Sequence, residues 1–199
     1  MRYPEFFHRV PTIKLQDELS DFLGTFEDGL VEFSYLDIVK SAGHSCPTVA
    51  GAYLCALEGL KALYKDEIPK RGEIFVSFKE DLSDSVAGVI ANVFTQITGA
   101  TVISGFKGIG GKFVRHDLMK FNDDITSSVK LQRLDSGESV EVVYNPSSIP
   151  GNPIQQQLMQ KIMQGVATKE EKITFGQLWQ NRVENILTNS SKIITIKHD

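Results

Sequence analysis

The period of the apolar positions changes along the chain, and each change predicts an element. Leu15, Leu19, Phe22 and Leu23 fall at helical spacing and Gly24 follows as a stop, which predicts a short amphipathic helix with its apolar stripe in the core. Residues 26–33 contain a turn signal followed by a short alternating segment. Ser34 and Asp37 form a capping pair for a helix over 35–42. From Pro47 the positions Val49, Tyr53, Leu57, Leu60, Leu63 and Tyr64 describe a strongly amphipathic helix. Ala50, Gly51, Ala52 and Ala56 are small, so another helix, a second chain or a ligand can approach near its start.

The second half of the chain mixes both periods. Residues 69–72 read as a turn and 73–78 as a strand; Ser83 or Asp84 then caps a helix through Val86, Ile90, Val93, Phe94 and Ile97, closed by Gly99. Residues 101–103 and 113–115 read as strands on either side of a glycine-rich loop. Residues 129–134 and 139–144 form a hairpin around 135–138. A loop rich in Pro, Ser and Gly covers 145–153. Beyond it come a helix with Ile154, Leu158, Ile162 and Met163, a helix with Phe175, Leu178, Val183 and Ile186 capped by Thr174 and Gln177, and a strand over 192–197. This order predicts an α+β fold, a largely antiparallel sheet packed with several helices. It divides into an α+β core with N-terminal helices over 1–145 and a C-terminal helical extension with a terminal strand, packed on the core, over 146–199.

Composition narrows the function. Of 199 residues, 41% are hydrophobic and 23% charged, which is ordinary globular usage. A formal net charge of −4 argues against a general nucleic-acid binder. No apolar run approaches the roughly 20 residues that span a bilayer, and residues 1–7 lack the apolar core of a signal peptide. Two cysteines suggest a reducing compartment, so the expected location is cytoplasmic.

Chemistry concentrates at Gly43-His44-Ser45-Cys46-Pro47, which joins one of four histidines to one of two cysteines at a helix start. Pro47 suits the first helical position, and Gly43 can take the positive φ that closes the preceding helix. Cys46 then stands just ahead of the helix, where free N–H groups and the helix dipole bias a thiol toward thiolate. His44 and Cys46 together offer a nitrogen and a sulfur to zinc or another divalent transition metal, with a third donor from His116, His8 or a partner chain. Two alternatives stand beside this: Cys46 as a metal-free nucleophile with His44 as its base, or a loop histidine next to a small packed cysteine. Cys55, nine residues on, falls on roughly the opposite side of the helix and reads as core. In the glycine-rich loop, Lys107, Gly108, Gly110, Gly111 and Lys112 form either a hairpin connection or a cradle for an anionic small molecule of unknown identity.

Gly43-His44-Ser45-Cys46-Pro47 resembles the Gly-His-x-Cys-Pro-Gly signature of the formylmethanofuran dehydrogenase FmdE family, with Thr48 in place of the last glycine. Thr98-Gly99-Ala100-Thr101 and Gly111-Lys112 resemble two further elements of that family. Val89 and Asn92 stand where its commoner pattern has a Cys and an Asp, and no cysteine follows Cys55 to build the zinc finger that some relatives carry at the C-terminus. The resemblance implies an α+β core, a homodimer, and a link to formyl-group or one-carbon metabolism, as an enzyme or as an accessory component that binds a small molecule.

Overall fold

One helix is buried on nearly every side. α3, Pro47–Tyr64, hides its small positions Ala50, Gly51, Ala52 and Ala56 as fully as its large ones, so it is the axis of the molecule rather than a half-exposed amphipathic helix. In the computed structural model, which describes residues 2–198, α3 lies against a five-stranded sheet on one side and against α2, Tyr35–Ala42, and α4, Ala87–Thr98, on the other. Gly59 lets the helix touch the sheet, because a Cβ there would press on Leu131 and Val142.

The sheet has the order β4-β3-β5-β6-β7, with β3 Ile74–Phe78, β4 Met119–Lys120, β5 Val129–Arg133, β6 Ser139–Tyr144 and β7 Ile194–His198. Only the β3–β4 pair is parallel; the other three pairings are antiparallel, as the sequence pattern predicts. A second, two-stranded antiparallel sheet pairs β1, Ile13–Gln16, with β2, Leu30–Phe33. After the 145–153 loop, α5 (Ile154–Met163) packs on α6 (Lys169–Thr188), α6 packs on α3, and the one-turn α7 (Ser190–Ile193) leads into β7 beside β6. No helix among the described residues is long and apolar enough to cross a membrane.

Several elements depart from the hydrophobic pattern. Leu15 lies in β1, fully buried, and only Glu18–Phe22 forms α1. Asp17 explains the break: its carboxylate accepts from the Leu19 and Ser20 N–H groups, so the helix starts after it, and Phe22 and Leu23 end on the surface. Residues 101–103 and 113–115 are not strands. Thr101 N–H donates to the Arg115 carbonyl, but Arg115 N–H turns to the Phe106 carbonyl in the loop between the two segments, so no ladder forms. Positive φ at Gly108, Gly110, Gly111, Phe113 and Asp117 keeps the segment from extending. Ser83 and Asp84 sit in a turn with Asp81, and α4 opens at Ala87 without a side-chain cap. The capping box of α6 is Thr168 with Glu171; Thr174 lies inside the helix and donates to the Glu170 carbonyl.

Candidate functional site

The corner between α2 and α3 is built from local signals. Ser34 and Asp37 close a reciprocal capping box on α2, and Gly43, at φ 77°, ends it by donating its N–H to the Val39 carbonyl. Cys46 is the N-cap of α3, with extended backbone and its Sγ accepting from the Val49 N–H at 3.4 Å; Pro47 takes the first helical position. The sulfur therefore occupies the place a capping oxygen would hold.

Distant side chains then pin the corner. Tyr35 Oη and Ser45 Oγ are 2.9 Å apart. Trp179 Nε1 and Gln180 Nε2, both on α6, donate to the Ser45 carbonyl at 3.2 and 3.1 Å. Tyr144 Oη, at the end of β6, donates to the Pro47 carbonyl at 2.9 Å. Burial pushes the Tyr35 and Tyr144 phenols well above the ordinary tyrosine value, so both keep their protons at neutral pH. Sequence spacing carries no trace of Tyr144, Trp179 or Gln180, which lie about a hundred residues or more from the corner.

His44 is exposed, and its Nδ1 lies 3.0 Å from the Ala42 carbonyl. A carbonyl only accepts, so Nδ1 carries the proton of that hydrogen bond and Nε2 is the ring nitrogen that faces away from it. His44 lines a cavity of about 270 Å³ between α2 and α4, together with Ser41, Asn92, Thr95 and Gln96 as polar walls and Ile38, Ala42, Val89 and Val93 as apolar ones. Val89 and Asn92 are the positions at which the family resemblance expects a Cys and an Asp, so this cavity gathers that part of the motif around His44. Cys46 is not part of its lining; it sits partly buried against the hydrophobic core.

The other candidates stand apart. His8 is on a 3-10 turn, Glu5–Arg9, and pairs with Tyr3 Oη at 3.1 Å. His116 Nδ1 is 2.5 Å from an Asp117 carboxylate oxygen. Among the described residues no three His, Cys, Asp or Glu side chains are grouped to hold a metal ion. One imidazole and one sulfur are fewer than the three or four protein ligands of a zinc site. In the glycine-rich loop, Lys107 Nζ donates to the Ile103 carbonyl at 2.7 Å, and the Ile109 and Lys112 backbones bond each other reciprocally. Gly108 is needed there because a Cβ would collide with the Lys112 carbonyl. The N–H groups of Ile109 and Lys112 are thus spent on closing the turn.

Below the loop, Thr98-Gly99-Ala100-Thr101 has a structural role. Gly99 ends α4 at φ 76°, buried Thr98 accepts from the Ala100 N–H, and Thr101 donates to the Arg115 carbonyl. Arg115 is itself buried, bonding Asp17 at 2.6 Å, and Arg71 joins the same carboxylate at 2.8 Å while donating to the Ile97 and Gln96 carbonyls at the end of α4.

The fold and this corner define a class: an α+β protein with a histidine-walled cavity beside a His-x-Cys-Pro helix start. The model of the FmdE family, described as "Molybdenum formylmethanofuran dehydrogenase operon", matches residues 42–195, and the chain belongs to that family. The match begins at the α2–α3 corner and ends at the start of β7. No curated protein matches the chain.

Proposed function

We propose that the chain is a cytoplasmic accessory protein of its family that binds a small polar molecule in the cavity at His44, in a role tied to formyl-group or one-carbon metabolism. The observation that carries the reading is the His44 ring. The Ala42 carbonyl takes up Nδ1, so Nε2 is the ring atom left to hydrogen-bond a guest. Asn92 and Gln96 supply amide donors and acceptors on the same cavity, and none of its lining side chains is a carboxylate or a lysine. A neutral guest with both donor and acceptor atoms matches such walls.

A second reading is favoured by an imidazole and a sulfur on one turn. Zinc or another divalent transition metal would then sit on His44 and Cys46 and take its remaining donors from His116, His8 or a second copy in a homodimer. Metal content of untagged protein, prepared without chelator, separates the two. Stoichiometric metal in wild type, lost in His44→Ala, overturns the first reading in favour of the second. Absence of metal, with formamide shifting the amide resonances of His44, Asn92 and Gln96 in wild type but not in His44→Ala, supports the first. Absence of metal with rapid alkylation of Cys46 and no formamide response points instead to thiol chemistry at Cys46, with His44 as its partner.

A further inference from the structure

A second cavity, of about 210 Å³, lies on the other side of the α3 start. Its walls are mostly apolar: Ala52 and Cys55 from α3, Ala87 and Ile90 from α4, and Phe78 from the end of β3. On the α3 side its walls are short, Gly51, Ala52 and Cys55, and the Tyr144 ring lies against Gly51. The space opens to solvent beside exposed Glu80 and Val86, and it is larger than an engineered apolar cavity of about 150 Å³ that admits a benzene-sized guest. One lining residue is ionic. Glu80 is exposed, and its carboxylate makes no hydrogen bond or ion pair among the described residues.

We propose that this cavity is a binding site for a small molecule with a compact apolar body and a single cationic amine, the body held between Ala52, Cys55 and Ile90 and the amine at Glu80. The guest is held without covalent capture. Burial pushes the Cys55 thiol up to about 12, which leaves it protonated and a poor nucleophile at neutral pH. The site is independent of the reading at His44: the two cavities share no lining residue.

The full chain is titrated with benzylamine, benzyl alcohol and benzoate, with binding followed by amide chemical shifts at Thr48, Ala52 and Ser128. Benzylamine is expected to bind best and benzoate worst. Glu80→Gln, a surface change that leaves the fold alone, is expected to weaken benzylamine roughly fivefold while sparing benzyl alcohol. Ala52→Leu, which fills the space, is expected to abolish binding of both. The proposal is overturned if none of the three binds, if benzoate binds as well as benzylamine, or if Glu80→Gln leaves the amine preference intact. Unchanged binding in a folded Ala52→Leu protein has the same force. Should that variant not fold, the Glu80→Gln result alone decides.

Discussion

Asp17 is the residue on which most separate parts of the chain meet. It starts α1, and it bonds Arg71 and Arg115, which are 54 and 98 positions away, while only 6% exposed. Burial by itself would raise its pKa, but the Arg71 hydrogen bond and the charges of Arg115 and Arg71 outweigh that and hold the carboxyl below its ordinary value. Asp17→Asn leaves two guanidinium groups facing a neutral amide, and urea unfolding should show a loss of about 3–5 kcal/mol. The depressed pKa also sets a sign. Its contribution is fully present above the unfolded value of about 3.9 and is lost as pH falls through the lower folded value. Wild-type stability should therefore drop below about pH 4 more steeply than that of Asp17→Asn. Gly72 guards the same cluster: at φ 88° a side chain is strained, and a Cβ would occupy the space of the Arg115 guanidinium. Gly72→Ala should lower the unfolding midpoint sharply even though it adds a single methyl group.

Among the elements, α3 depends on partners that meet it through small residues. Gly51 faces the Tyr144 ring so closely that a Cβ would overlap it. Gly51→Ala should displace the ring, break the Tyr144–Pro47 hydrogen bond and cost about 1–3 kcal/mol. Tyr144→Phe, which removes only the hydroxyl, should cost about 1 kcal/mol. Because both changes act on one contact, adding Gly51→Ala to Tyr144→Ala should cost less than the sum of the two, measurable as a double-mutant cycle in thermal unfolding. On α2, Ser34→Ala opens the capping box and should cost about 1 kcal/mol, with the loss concentrated in amide exchange of the first turn.

In the molecule as a whole, the C-terminal part reaches back to the site. Trp179 and Gln180 of α6 hold the Ser45 carbonyl between His44 and Cys46, so the order of the corner depends on α6 seating on α3. Trp179→Phe keeps an aromatic ring but removes the indole N–H. It should leave the fold cooperative while raising the rate of Cys46 alkylation several-fold, since the turn loses one of its two fixed bonds to α6. Unchanged alkylation would mean that Gln180 and Tyr35 hold the turn without help from the indole.

The sequence by itself determined whatever depends on neighbours a few positions away. The Ser34–Asp37 cap, the left-handed turn at Gly43, Cys46 and Pro47 at the head of α3 and the β5–β6 hairpin are all legible because capping, positive φ and strand alternation act within about four residues. The family could be read for the same reason, since its signature is contiguous. Only the tertiary structure decided the rest. Leu15 left its helical spacing for β1 because β2 offered a partner, and the extended runs at 101–103 and 113–115 lost theirs to the glycine-rich turns between them. The walls of both cavities, the clasp on Ser45 and the Arg71–Asp17–Arg115 cluster join residues whose spacing follows no period. Such contacts are set by how the helices and the sheet dock, and docking is governed by the shape and burial of whole faces rather than by any local pattern.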